Sequence, residues 1–277
     1  MRRRTSAALA ATLAVAVVAL APSAAYAWAP ADRATIHPGI QTETEGSGQC
    51  TANFVFTRGA DTFLGQAAHC SSTGQATDTN GCTSASLPIG TRVGLVGSGA
   101  TGTMVYNSWL TMQAKGESDP DTCAYNDIAL IKIDPADVGT VNPSVPGFGG
   151  PTGVGGASAD LADVYSYGNS SLRGGITQLS PKQGKVVSTD ANGWSRTVYT
   201  VTPGIPGDSG SGFLDATGNA IGVLSTVAIA PTPLSNGVGD LSRELNYLNA
   251  NGFSGTALAT GTEPFKADTV GAILGAG

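Results

Sequence analysis

Gly207-Asp208-Ser209-Gly210 is a serine set in a glycine-rich turn, and two further segments give it meaning: Ala67-Ala68-His69-Cys70 and Asn126-Asp127-Ile128-Ala129-Leu130-Ile131. A serine hydroxyl is a weak nucleophile near neutral pH, and becomes a strong one only when a base takes its proton during attack. Imidazole suits that role because its pKa lies near the working pH. The chain has two histidines, and since His37 lies in a Pro-containing lead-in, His69 is the base the sequence offers. A carboxylate must then fix the imidazole's tautomer and stabilise its charged form, and Asp127 supplies one at the head of an apolar run. An oxyanion formed on attack needs converging backbone N–H groups, and a turn flanked by glycines lets Gly207 and Ser209 provide them.

Composition points to the scaffold. Of 277 residues only 12% are charged, while 39 Gly and 15 Pro make up about a fifth of the chain, which disfavours coiled coils and helical bundles. Short β-prone runs alternate with turn clusters at 51–56, 62–67, 91–96, 101–106, 128–133, 163–167, 185–188, 196–202, 212–214 and 220–226. About ten strands suit barrels or sandwiches. The Pro- and Gly-rich stretch 134–156 lacks periodicity and divides the β-prone runs into two halves. One helix is expected: Asp240 can cap it, Leu241, Leu245 and Leu248 recur on one face, and Gly252 can end it.

The N-terminus reads as an export signal, with Arg2, Arg3 and Arg4 at its head, an apolar run from Ala7 to Ala21, and the small-x-small site Ala25-Tyr26-Ala27. The run is short for a bilayer span, so a secreted, extracellular protein is expected after cleavage. Removing residues 1–27 takes three arginines and no acid, leaving 11 basic against 20 acidic residues and a net charge of −9. That balance disfavours nucleic acid and anionic membranes as partners. In an oxidising space Cys50, Cys70, Cys82 and Cys123 read as two disulfides, since no CxxC pair suggests a metal site. The acidic loop at Glu117–Asp121 could coordinate calcium, but such loops are more often simply solvated. No cofactor or metal is expected.

The order His, Asp, Ser excludes an α/β-hydrolase, in which the histidine follows the serine; no histidine follows His69. It also fits the subtilisin order poorly, because Asp61 precedes His69 by only eight residues. The segments AAHC, NDIALIKI and GDSG, in this order and at these separations, resemble the chymotrypsin-like (trypsin-fold) serine proteases, most closely their compact bacterial secreted members. The resemblance extends from about Gly39 to the helix near Leu248. It implies an all-β fold of two six-stranded antiparallel β-barrels with the active site between them and a C-terminal helix. The expected division is a signal peptide at 1–27, a lead-in or short propeptide at 28–39, a first barrel at 40–140 with His69 and Asp127, a linker at 141–156, and a second barrel with the helix and tail at 157–277.

The same resemblance implies a serine endopeptidase, expected as a monomer acting on polypeptides, with Ser209 as nucleophile, His69 as base and acid, and Asp127 as the orienting carboxylate. The family pattern pairs Cys50 with Cys70, a bridge that would pin the histidine loop, and by exclusion Cys82 is expected to join Cys123. Asp208 is buried and holds its turn through a cation. Most family zymogens free an Ile-Val-Gly-Gly terminus for that, whereas this chain has Ile36-His37-Pro38-Gly39, so a side chain such as Arg173 is the candidate. Pro203 falls at the base of the primary specificity pocket, where an acid would select Lys or Arg, and Val227 and Gly237 fall on its walls. With Ser225 and Thr226 on the strand that pairs with substrate, this suggests small or medium apolar P1 residues. The turn around Pro203 lacks the family's usual cysteine, and GDSGS replaces the commoner GDSGG. The alternative is a secreted binding protein that kept the scaffold and lost turnover.

Overall fold

The computed structural model describes residues 27–75, 79–227 and 234–275; all but the last residue of the expected signal peptide lies outside them. In the first half, the strands are β1 (Gln41–Thr44), β2 (Gln49–Thr51), β3 (Val55–Arg58), β4 (Asp61–Gln66), β5 (Arg92–Leu95), β6 (Ala100–Asn107) and β7 (Ala129–Ile133), with helices α1 (Ser108–Lys115) and α2 (Pro120–Tyr125) between the last two. In the second half they are β8 (Asp163–Tyr167), β9 (Pro181–Asp190), β10 (Ser195–Thr200), β11 (Gly212–Asp215), β12 (Ala220–Val227) and β13 (Asn236–Asp240), followed by α3 (Leu241–Ala250), the short β14 (Ala257–Leu258) and α4 (Thr269–Leu274).

Strands β8–β13 close into a six-stranded antiparallel barrel. The first half is an antiparallel sheet running β14-β3-β4-β7-β6-β5-β1-β2. Strands β2 and β3 are two parts of one bent run that keeps bonding between them: Ala52 N donates to Ile40 O at 2.9 Å, and Asn53 N to Gly65 O at 2.8 Å. One end of that run pairs with β1 and the other with β4, so the sheet curls back on itself. Together the halves make the expected two-barrel architecture.

The apolar residues sort accordingly. Val164, Val198, Phe213, Ile221 and Val238 fill the second barrel. Phe54, Leu130, Tyr165, Val223, Leu241 and Leu245, drawn from both halves, form a shared core. Helix α3 follows the sequence reading: the Asp240 side chain accepts Arg243 N, and Leu241, Leu245 and Leu248 are buried on one face.

Three features depart from the expected division. The lead-in is woven into the first half, because Ile36 is an apolar anchor: it is fully buried and bridges Val141, while Ala29 N donates to Val141 O. The stretch read as a linker buries Val145 and Phe148. The tail returns to the first half, where β14 adds to β3. Helices α1 and α2 went unread. Asn107 caps α1 and Gly116, at φ +66°, ends it, while Asp119 caps α2. Asp119 is thus engaged in capping, and the Glu117 carboxylate accepts Ser118 N and Asp119 N, so these two acids of the acidic loop serve local turns. No helix among the described residues is long and apolar enough to cross a membrane.

Candidate active site

His69 lies in a short 3-10 turn, Ala68–Ser71, that follows β4. The disulfides pair Cys50 with Cys70 and Cys82 with Cys123, so the first bridge ties the residue after His69 to β2. Asp127 sits between α2 and β7 and is 2% exposed. Its Oδ1 accepts His69 N at 2.9 Å, its Oδ2 faces His69 Nδ1 at 2.7 Å, and Ser225 Oγ donates to that same Oδ2 at 2.5 Å. A carboxylate can only accept here, so Nδ1 carries the proton and Nε2 is left with a free lone pair. Burial opposes charging of the imidazole, but the Asp127 charge and hydrogen bond together outweigh it and raise the His69 pKa above 6.5. The sulfurs of Cys50 and Cys70 lie within 4.8 Å of a His69 nitrogen. Both are spent in the disulfide, so this cluster holds no metal.

The serine turn is built by glycines and by buried charge. Gly207 and Gly210 have φ of +95° and +87°, the left-handed region that side chains disfavour. A Cβ on Gly210 would come 2.6 Å from Thr51 O and 2.8 Å from Ala67 N, so only glycine lets this turn lie against the end of β4. Thr51 N donates to Ser209 O at 2.8 Å, tying the turn to the strand that carries Cys50. These contacts hold the serine turn against Ala67, where the chain leaves β4 for the His69 turn. No hydrogen bond joins its hydroxyl to the imidazole among the described residues; such contacts commonly tighten only when substrate binds.

The amides of the turn divide in two. Asp208 N donates to Ile205 O, Gly210 N to Leu224 O and Ser211 N to Asp208 O, whereas Gly207 N and Ser209 N have no protein acceptor among the described residues. Two unspent donors flanking Asp208 are what an oxyanion requires. The plane of the peptide bearing Gly207 N is fixed from the other side, where Ser170 Oγ donates to Pro206 O at 2.5 Å.

Asp208 is fully buried. Its Oδ2 meets Arg173 Nη2 at 2.5 Å and Lys182 Nζ at 3.0 Å; Oδ1 accepts Ser170 N and Oδ2 also accepts Ile205 N. The sequence reading named Arg173 but missed Lys182, a fully buried lysine in β9 that composition cannot distinguish from a surface one. Burial pushes the Lys182 pKa below its ordinary value, with the Asp208 charge working against that and Arg173 adding to it.

The remaining sequence-named residues lie near this turn. Pro203 turns its carbonyl toward Arg173 Nη2, 3.1 Å away. Gly204 N donates to Oδ1 of the fully buried Asn236 at 2.8 Å, a contact with no local mark in the sequence. A Cβ on Gly237 would come 2.3 Å from Thr226 Oγ1, so Thr226 closes over that glycine. Ser225 falls where the β12–β13 register shifts, between Leu224 and Thr226. The side chain of Val227 lies outside the described residues. A separate cavity of about 450 Å³, lined in part by His37, Ser144, Tyr167 and Lys266, contains none of these residues.

No family model and no curated protein matches the chain. Solved structures do match. Protease A of Thermobifida fusca is 20% identical with a TM-score of 0.52, over 82% of this chain and 99% of that one. A Nocardiopsis protease is 19% identical with a TM-score of 0.49, over 80% and 98%. The chymotrypsin of Cellulomonas bogoriensis is 17% identical with a TM-score of 0.48, over 81% and 98%.

Asp208→Asn leaves two buried cations without their counter-charge and is expected to cost about 3–5 kcal/mol, read by denaturant unfolding. A loss below about 1 kcal/mol would contradict the role given to this cluster. Barrel topology, the shared core and the likeness to Thermobifida fusca protease A agree on one point: the chain has the two-barrel fold of the chymotrypsin-like bacterial serine proteases.

Proposed function

We propose that the chain is a secreted serine endopeptidase that hydrolyses peptide bonds through an acyl-enzyme. The observation that carries this reading is the Asp127–His69 pair, hydrogen-bonded at 2.7 Å, with the glycine-held turn of Ser209 packed against Ala67, two residues before the histidine. His69 Nε2 takes the proton of Ser209 Oγ as the hydroxyl attacks the substrate carbonyl, while Asp127 stabilises the resulting imidazolium. Gly207 N–H and Ser209 N–H receive the oxyanion. The intermediate collapses as His69 protonates the leaving amine, and water, activated by the same base, releases the acid and restores Ser209.

Substrate aligns along β12 beyond its last pair with β11, Gly212↔Val223, adding a strand to the edge at 225–227. With Pro203 at its base, the nearby Arg173 and Lys182 held by Asp208, and Thr226 closed over Gly237, the primary pocket takes small or medium apolar P1 residues. Arg173 and Lys182 occupy the Asp208 carboxylate that a freed terminal amine would otherwise claim, so the mature protease needs no such insertion. Two disulfides and the acidic net charge suit an extracellular monomer.

Ser209→Ala is expected to keep the fold but lower turnover of a peptide library by about 10⁴-fold or more, the wild-type cleavage sites carrying small or medium apolar P1 residues. Near-normal turnover by the variant would overturn the nucleophile assignment, and basic or acidic P1 residues would overturn the pocket reading. The base must be neutral to act, and a raised imidazole pKa keeps it protonated to higher pH. The acid limb of kcat/KM is therefore expected above pH 6.5, and a limb below 6.5 would contradict the coupling to Asp127.

A further inference from the structure

Glu244 lies in the first turn of α3 and is fully buried. Its Oε1 accepts the backbone N–H of Asp127 at 3.1 Å, so a helix of the second half holds the residue that orients the imidazole. Gly239 of β13 makes this approach possible, because a Cβ there would come 2.8 Å from Glu244 Oε1 and 3.0 Å from Tyr125 O. The other oxygen, Oε2, has no hydrogen-bond partner among the described residues.

The ionisable groups facing this carboxyl are Asp127, Asp240 at the end of β13, Arg196 from β10 and Tyr106 from β6. Arg196 is the cation among them, and it is committed: its Nη2 donates to Asp240 Oδ2 at 2.6 Å and its Nη1 to Ile221 O at 3.0 Å. An ionised Glu244 would therefore be a buried charge without a hydrogen-bonded cation, beside a second carboxylate. Burial is the largest force raising its pKa well above the ordinary value; the Asp127 and Asp240 charges add to it, while the Asp127 amide and Arg196 work against it.

We infer that Glu244 is a positioning residue that works as a neutral carboxylic acid: it anchors Asp127 through the backbone and leaves a single negative charge behind His69. An ionised carboxylate there would not do the same. The acid's carbonyl oxygen accepts the amide without adding charge, whereas a carboxylate would repel Asp127 and make the imidazole too basic to serve near neutral pH. The catalytic consequence rests on the hydrolytic reading, but the protonation state does not.

The test uses the full chain labelled with [13C]glutamate, the Glu244 carboxyl resonance being identified by its loss in Glu244→Gln. That resonance is expected at its protonated position at pH 7. Glu244→Gln, which keeps a neutral acceptor, is expected to leave the His69 imidazole titration in place and kcat/KM within about threefold, while Glu244→Ala lowers kcat by about tenfold or more with KM little changed. An ionised carboxyl at pH 7, an imidazole titration shifted acidward in Glu244→Gln, or an unchanged kcat in folded Glu244→Ala would each overturn the inference. Should Glu244→Ala fail to fold, the two NMR titrations still decide it. Turnover that survives Ser209→Ala would remove the hydrolytic reading and leave the carboxyl titration to judge Glu244 alone.

Discussion

The carboxylate of Asp127 is the point on which the site turns. It is a nearly buried negative charge, and the groups that satisfy it come from both halves of the molecule: the amide and ring of His69 from the turn after β4, and the hydroxyl of Ser225 from β12. Its own amide is taken by Glu244 of α3. One charge therefore fixes the tautomer of the histidine and ties the second barrel to the first. Removing it would orphan several donors at once, which is the costly direction for a buried network.

A second buried charge, Asp208, does for the serine turn what Asp127 does for the histidine. Here two cations meet one carboxylate, and both are almost completely enclosed. Ion pairs of this kind contribute little net stability over apolar packing, but they are expensive to break and so hold one conformation against its alternatives. In this turn the selected conformation has Gly207 and Gly210 at positive φ and two amides free of protein acceptors among the described residues. A chain only 12% charged thus concentrates buried charge where geometry matters most.

What could be read in the sequence was what chemistry or local pattern writes into neighbouring residues. The serine turn, the histidine after an apolar strand, and the cap-and-leucine pattern of α3 are all local signals. The Cys50–Cys70 bridge follows from the cysteine beside His69 and from the family pattern, the Cys82–Cys123 bridge from what that pairing leaves over, and both are formed. Long-range partners were not legible. Lys182 and Glu244 look like surface residues until β9 and α3 are placed, and Asn236 lies in Asn236–Asp240, whose glycines carry little β propensity and which is a strand because β10 and β12 flank it. Helix α1 did carry a signal, Asn107 at its start and Gly116 at its end, which the search for strands passed over. The packing of the lead-in was not legible because a single buried isoleucine, Ile36, is too weak a pattern to mark a segment as part of a core.

The central claim is that Ser209 is an activated nucleophile facing an open oxyanion site. It is tested most directly by reacting the folded mature chain with a fluorophosphonate and mapping the adduct by mass spectrometry, since labelling requires both features together. Stoichiometric modification is expected, confined to the peptide containing Ser209 and abolished by prior protonation of His69. A correctly folded chain that remains unlabelled would contradict it, and would describe a binding protein on the same scaffold.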